Sequence, residues 1–194
     1  MYFSKKRIKI LAETINTSTA LLCKITFDIG WCADLELGDT IDILFQTWNI
    51  FWEKQYHSRY YAFEGMLRRF LITCDEKQHI FKPHFSLFAL LPKKNTDREN
   101  VEHRLYLAWV NALKQHKEAA VNFEILKKEH TEEAVRVFCT ADSIANDSGS
   151  TRPTRVGRTV SECVKKAKGM HRFFSVSGLF KDALNRHVSV QNNG

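Results

Sequence analysis

With 194 residues, of which 44% are hydrophobic, the chain is long enough to bury one substantial core, and we expect a single domain. Charged or histidine side chains interrupt every apolar run before it reaches membrane-spanning length. No apolar segment with a small-residue cleavage site follows the basic N-terminus. We therefore expect a cytoplasmic protein without a membrane partner. The net charge of +7 favours an anionic partner, and the five scattered cysteines, which lack CxxC spacing, are expected to be free thiols.

The first periodic segments predict a strand and a long helix. Residues 20–27 alternate between two faces, which is typical of a strand. Apolar and aromatic residues then recur at helical spacing from Ile41 to Trp52, and this aromatic stripe is expected to lie in the core. Residues 38–40, with the sequence Gly-Asp-Thr, are expected to cap this helix of about four turns.

A hairpin is predicted next. Residues 65–73 read as a strand, and the polar residues 75–78 read as a turn. The segment from Phe85 to Leu91 is almost continuously apolar, which indicates a strand buried on both faces.

Three further elements complete the predicted core. Residues 101–113 show helical spacing, and residues 121–126 read as a strand. Thr131 is expected to cap a third helix that turns Phe138 inward and extends towards Ile144. The order strand–helix–strand–strand–helix–strand–helix predicts an α+β fold, a central antiparallel sheet with helices packed on a face.

A polar segment separates this core from a basic end. We expect residues 1–145 to form the core, residues 146–155 a flexible loop, and residues 156–194 a helical segment that packs on the core. Residues 156–168 carry an apolar helical stripe beside a lysine-rich face, and a last short helix is expected at residues 179–187.

The charge is concentrated in this C-terminal segment. Residues 151–194 contain nine Lys or Arg and two acidic residues, whereas the remaining 20 basic and 20 acidic side chains of residues 1–150 cancel. A local excess of this kind indicates contact with nucleic acid, and a merely solubilising basic tail is the alternative. The side chains expected to contact phosphates are Arg152, Arg155, Arg158, Lys165, Lys166, Lys168 and Arg172.

Four segments carry a resemblance to a known family. They are the apolar-Thr strand at residues 22–26, the segment Lys-Pro-His-Phe-Ser at residues 82–86 before an apolar run, the helix that contains Trp109, and the Ser-x-x-Gly-Leu-Phe-Lys pattern within residues 173–181. In this order and spacing they resemble rolling-circle plasmid replication initiators, the HUH family of nicking endonucleases. The resemblance implies an RNA-recognition-like sheet whose central strands present a divalent metal ion to single-stranded DNA.

The metal site that the resemblance implies is degenerate in this chain. In the family, two histidines two residues apart on one strand, often with an acidic residue from the preceding strand, hold the ion. His84 matches the first histidine, Ser86 stands in place of the second, and Leu71 stands in place of the acid. We therefore expect no resident cofactor and at most weak binding of Mg²⁺ or Mn²⁺; a buried, hydrogen-bonded strand histidine is the alternative for His84.

The nucleophile that the resemblance implies is also missing. Phe138 and Ala141 stand where the family carries a tyrosine and a lysine, and no tyrosine follows Tyr106 in the chain. The alternative is an active endonuclease with a relocated nucleophile at Tyr60 or Tyr61, because some relatives carry the tyrosine before the histidine motif.

A zinc site built from Cys74, His79 and His84 is a further alternative reading of the hairpin.

These features favour a catalytically inactive initiator-like protein. It would bind an origin hairpin or single-stranded DNA and modulate the replication of a plasmid or another mobile element. Its protein partners would be an active initiator or a host replication protein. The remaining alternative is a protein-interaction module or inhibitor that uses the same fold.

Overall fold

The computed structural model describes residues 3–57, 63–75, 77–93, 98–113, 118–140, 144–146 and 155–192. These residues form one sheet with helices packed against it, and the predicted α+β class with a central, mainly antiparallel sheet is confirmed.

The described strands are β1 Leu21–Asp28, β2 Cys32–Ala33, β3 Gly65–Asp75, β4 Ile80–Leu91, β5 Ala120–Leu126, β6 Ile144–Asn146 and β7 Phe174–Gly178. They form a single seven-stranded sheet with the order β5-β1-β4-β3-β6, in which β2 also pairs with β4 and β7 with β3. All of these pairs are antiparallel except β3 with β6.

The predicted hairpin is present, with a longer second strand. The turn between β3 and β4 is held by Asp75 Oδ1, which accepts hydrogen bonds from the backbone N–H groups of Lys77 at 2.9 Å and Gln78 at 3.1 Å. The second strand begins at Ile80 rather than Phe85. Pro83 is tolerated inside it because the pairing with β1 ends opposite His84 and the pairing with β2 begins opposite Phe81.

The helices are α1 Lys5–Thr17, α2 Leu37–His57, α3 Arg98–Leu113, α4 Thr131–Thr140, α5 Arg155–Met170 and α6 Leu179–Asn192. The predicted four-turn helix is α2, which has 21 residues and follows a 3₁₀ turn at Asp34–Glu36. The expected cap at residues 38–40 is wrong, because these residues already lie in its first turn. Ile144 belongs to β6 and not to α4.

The first helix was not predicted. Ser4 caps α1 by accepting a hydrogen bond from the N–H of Arg7, and the helix buries an apolar stripe that includes Ile8, Leu11 and Ile15. The basic residues at its start give the segment the composition of a solvated tail. Its apolar spacing was nevertheless a usable helix signal.

Helices cover both sides of the sheet, so the expectation of helices on a single face is wrong. We call the two sides the aromatic face and the second face. On the aromatic face, α2, α3 and α5 bury Phe27, Phe85 and their neighbours. On the second face, α1, α4 and α6 bury Leu22, Leu67 and Phe88. The apolar end of the second face needs this cover, because alternate residues of the same strands are hydrophobic there.

The C-terminal segment is helical as predicted. The apolar stripe of α5 includes Val160, Val164 and Ala167, which join the aromatic core, and α6 is longer than the predicted short helix. Most of the predicted loop, residues 147–154, lies outside the described residues. Among the helices that the structure describes, none combines the length and hydropathy required to cross a bilayer.

The five cysteines are free, and four of them are buried. Burial raises the pKa of Cys23 to about 12 and that of Cys139 to about 12, so these two thiols stay protonated and unreactive at neutral pH.

Candidate functional site

The positions that the resemblance assigns to metal binding lie together on the second face. Alternate residues of β4 point to the same side, so His84 and Ser86 share this face with Phe88. In the neighbouring strand β3, Leu71 pairs with His84 and Arg69 pairs with Ser86. Away from the apolar end covered by helices, this face carries polar side chains. We call this region the polar end; it comprises Lys24, Thr26, Asp28, Lys82, His84, Ser86, Asn122 and Glu124.

His84 is a half-buried histidine held by its own strand. Its Nδ1–H donates to the carbonyl oxygen of Lys82 at 3.0 Å. The neutral ring therefore carries its proton on Nδ1, and Nε2 has a lone pair. Burial lowers the pKa of His84, although the hydrogen bond to Lys82 and the nearby Asp28 carboxylate oppose this shift.

Asp28 is a polar-end residue that sequence reasoning missed. It pairs with His84 across β1 and β4 and is only 2% exposed. Its Oδ1 accepts a hydrogen bond from the N–H of Gly30 at 3.2 Å, and its Oδ2 lies 3.8 Å from Lys82 Nζ. The alternation of residues 20–27 had already placed Lys24 and Thr26 on one face, and extending it by one position would have found Asp28.

These donors do not fit the divalent ion that the resemblance implies. His84 offers one imidazole nitrogen, Ser86 a neutral hydroxyl and Leu71 no donor at all, while the buried carboxylate of Asp28 is engaged by Gly30 and Lys82. Within the described ranges, no group of three or more His, Cys, Asp and Glu side chains could hold a metal ion.

The alternative zinc ligands do not converge. Cys74 is buried in the aromatic core, whereas His84 lies on the second face. His79 is exposed in the turn, so the zinc reading of the hairpin is wrong.

Phe138 lies on the helix that faces the same side of the sheet as His84 and Ser86. It is 8% exposed, its ring stacks on Phe88 with centroids 4.3 Å apart, and its carbonyl oxygen accepts a hydrogen bond from Arg69. The position thus holds a packed ring without a hydroxyl. Ala141, Tyr60 and Tyr61 lie outside the described residues.

The predicted phosphate-binding residues are exposed where the structure describes them. Lys165, Lys166 and Lys168 lie on the outer face of α5, and Arg172 follows the helix. Among the described residues, none of these four side chains forms an ion pair with a carboxylate. Arg152 and the side chains of Arg155 and Arg158 lie outside the description.

The structure adds one cation that the sequence-based set omitted. Lys181, in the first turn of α6, joins Lys168 and Arg172 around a groove of about 730 Å³ that runs along β7. We call it the β7 groove. α5 and α6 pack on opposite faces of the sheet, and β7 runs between them. The helical spacing of α5 alone therefore did not predict that Lys181 lines the same groove as Lys168 and Arg172.

The segment between α5 and β7 is anchored to the core. His171 stacks on Phe45 with ring centroids 4.2 Å apart, and its Nε2 lies 2.9 Å from Asp42 Oδ1. Arg68 donates a hydrogen bond to the carbonyl oxygen of Arg172 at 2.8 Å. These contacts hold the backbone of Arg172 in place at the rim of the β7 groove.

Arg68 itself is a buried cation. Its guanidinium lies over the rings of Trp48 at 4.8 Å and Phe85 at 4.6 Å. Burial, with a smaller contribution from the charge of Arg172, lowers the pKa of Arg68 to about 10, so it stays charged at neutral pH.

Comparison of the chain with models of protein families, with curated proteins and with solved structures finds no match.

Proposed function

We propose that this protein binds DNA, as an origin hairpin or a single strand, without nicking it, and so modulates the replication of a plasmid or another mobile element in the cytoplasm. The observation that carries the proposal is the row of exposed cations along the outer face of α5 and past its end. Lys165, Lys166, Lys168 and Arg172 are exposed together on one side of the molecule.

Such a row suits the phosphate backbone. Each lysine or arginine that neutralises a phosphate releases a condensed counterion, which gives affinity that is salt-dependent and independent of base sequence. The apolar stripe of α5 fixes the helix against the core, so the cations are presented on a rigid element rather than on a tail.

Two features support binding without nicking. No tyrosine follows Tyr106, and Phe138 offers a packed ring where a nucleophile would need a hydroxyl. The donors at His84 and Ser86 suit a divalent ion poorly, which leaves weak binding of Mg²⁺ or Mn²⁺ as the most that we expect of this site.

Salt titration tests the DNA-binding proposal. We expect a labelled hairpin and a single strand to bind at low salt, and the triple variant Lys165→Glu, Lys166→Glu, Lys168→Glu to bind far more weakly with a shallower slope of log K against log [salt]. The slope should fall by about 0.7–0.9 for each phosphate contact that is lost.

The matched control reverses the same number of charges on α1, at Lys5, Lys6 and Lys9, which are exposed on the opposite side of the sheet. If both triple variants lose affinity equally, net charge and not α5 is responsible. If the unmodified protein does not bind DNA at low salt, the proposal fails.

A separate assay addresses nicking. We expect supercoiled and single-stranded DNA, incubated with the protein and Mg²⁺ or Mn²⁺, to yield neither nicked circles nor a covalent adduct on a denaturing gel. An adduct that disappears in Tyr60→Phe or Tyr61→Phe would contradict this and identify a relocated nucleophile.

A further inference from the structure

The β7 groove contains an open strand edge. β7 pairs with β3 on one side, and within the described part of the chain no strand pairs with its other side. Two hydrogen bonds fix the pairing pattern: the N–H of Phe70 donates to the carbonyl of Phe173 at 2.8 Å, and the N–H of Leu179 donates to the carbonyl of Glu64 at 2.7 Å.

This pattern determines which backbone groups of β7 point outward. In an antiparallel pair, every second residue exchanges both hydrogen bonds with its partner, and the residues between them direct both groups away. Given the register, Ser175 and Ser177 bond to β3, and Phe174 and Val176 direct their N–H and C=O groups away from it. Phe174 and Val176 both line the β7 groove.

Cations flank this edge on both sides. Lys168 lies in the last turn of α5, which packs on the aromatic face, and Arg172 follows that helix. Lys181 lies in α6, which packs on the second face. All three side chains are exposed. A chain that occupies the edge would therefore meet positive charge whichever way its side chains point.

We infer that the edge of β7 takes up an extended acidic segment of another protein as an added strand. The alternation of outward donors and acceptors favours a peptide, since a strand satisfies both kinds of group. A nucleic-acid backbone offers only acceptors here and would leave the carbonyl groups of Phe174 and Val176 facing negative oxygens. A second copy of β7 would bring the same cations together, and they would repel.

This interaction goes beyond the DNA binding proposed for α5, and a backbone substitution separates the two. Val176→Pro removes one outward N–H without removing a hydrogen bond to β3, and proline is accepted on an edge strand in this orientation. Val176→Ala is the matched control, because it shortens the side chain and keeps the N–H.

The probe is a labelled peptide of about eight residues that alternates Glu with Val or Thr, long enough to span the five residues of β7. A peptide with Lys in place of Glu is its control. We expect the acidic peptide to bind measurably better than the basic one by fluorescence anisotropy. Val176→Pro should weaken it about three- to tenfold, and Val176→Ala should have little effect.

Charge and exchange measurements give independent readouts that remain informative if Val176→Pro fails to fold. Lys168→Glu combined with Lys181→Glu should abolish the preference for the acidic peptide. In the free protein we expect fast hydrogen exchange at the Phe174 and Val176 amides, and we expect the peptide to slow it.

Three results would overturn the inference. The first is equal affinity for the acidic and basic peptides, and the second is slow hydrogen exchange at the Phe174 and Val176 amides in the free protein. The third is that Val176→Pro weakens the binding of a thymidine oligonucleotide as much as it weakens the binding of the peptide. The third result would make the β7 groove part of the DNA-binding surface and would leave the proposed function intact.

Discussion

The two faces of the sheet are built from the same strands and differ in how completely helices bury their side chains. Phe27, Phe70 and Phe85 lie fully buried on the aromatic face beneath α2, α3 and α5. On the second face, α1, α4 and α6 cover an apolar end, and the polar end keeps Lys24, Glu124 and other side chains exposed or half-exposed.

This difference shows where the fold tolerates change. Burial of apolar area contributes most to stability, so the aromatic face is expected to dominate the free energy of unfolding. His84 and Ser86, two positions that the resemblance assigns to metal binding, lie on the polar end and belong to neither hydrophobic core. We therefore expect the fold to tolerate substitutions at these two positions better than substitutions on the aromatic face.

The largest expected effect comes from the aromatic face. Trp109 is fully buried on α3, donates from Nε1 to the carbonyl oxygen of Asp28 at 2.8 Å and packs against Phe27 and Phe51. We expect Trp109→Ala to lower the free energy of unfolding by about 3–5 kcal/mol in urea titrations. Tyr106→Ala, on the same helix but 40% exposed, should change it by about 0.5 kcal/mol or less. Similar losses of unfolding free energy in the two variants would contradict the conclusion that burial on the aromatic face dominates stability.

The connection from the sheet edge to the second face should be the next most sensitive point. Gly178, the last residue of β7 before α6, has φ +58°, and a Cβ there would collide with the carbonyl oxygen of Glu64. We expect Gly178→Ala to cost about 2 kcal/mol or more, measured by thermal unfolding. Gly169→Ala in α5, where a Cβ meets open space, should be neutral or stabilise by about 0.4–1 kcal/mol. An unchanged thermal unfolding of Gly178→Ala would show that the backbone around residue 178 can shift to accommodate a Cβ.

A smaller and pH-dependent effect is expected at His84. Because burial lowers its pKa in the folded state, protonation favours the unfolded chain: stability is complete above the unfolded pKa of 6.5 and falls as pH drops below it. We expect His84→Asn, which retains a donor for the Lys82 carbonyl, to be less sensitive to acid. The free energies of unfolding of the unmodified protein and of His84→Asn, measured in urea titrations, should differ by an amount that changes by about 1 kcal/mol or less between pH 7.5 and pH 5. Parallel pH profiles would exclude His84 as the titrating group.

The smallest effects belong to the exposed part of the polar end. Lys24 and Glu124 face each other across β1 and β5, and both are exposed. We expect Lys24→Ala and Glu124→Ala each to change the free energy of unfolding by about 0.5 kcal/mol or less, because solvent screens the pair. A loss above about 1 kcal/mol for either variant would show that the polar end contributes to the fold.

The elements that sequence reasoning found have strong local periods. The alternation at residues 20–27 and the helical spacing at residues 101–113 persist in the structure as β1 and α3. The strand β7 alternates Phe174 and Val176 with two serines, but this pattern spans only five residues, and the strand was not predicted. It forms because the register with β3 supplies hydrogen bonds that no local pattern contains.

The amino-acid sequence by itself determined the α+β class, the free thiols, the basic C-terminal segment and the absence of tyrosine after Tyr106, because composition or short-range hydrophobic spacing sets each of them. Only the tertiary structure placed helices on both faces, set Asp28 opposite His84 and brought Lys181 to Lys168 and Arg172 along an open strand edge. Strand register sets the pair of Asp28 and His84, which are far apart in the chain. The three cations are close in sequence, and the packing of α5 and α6 on opposite faces places them around β7.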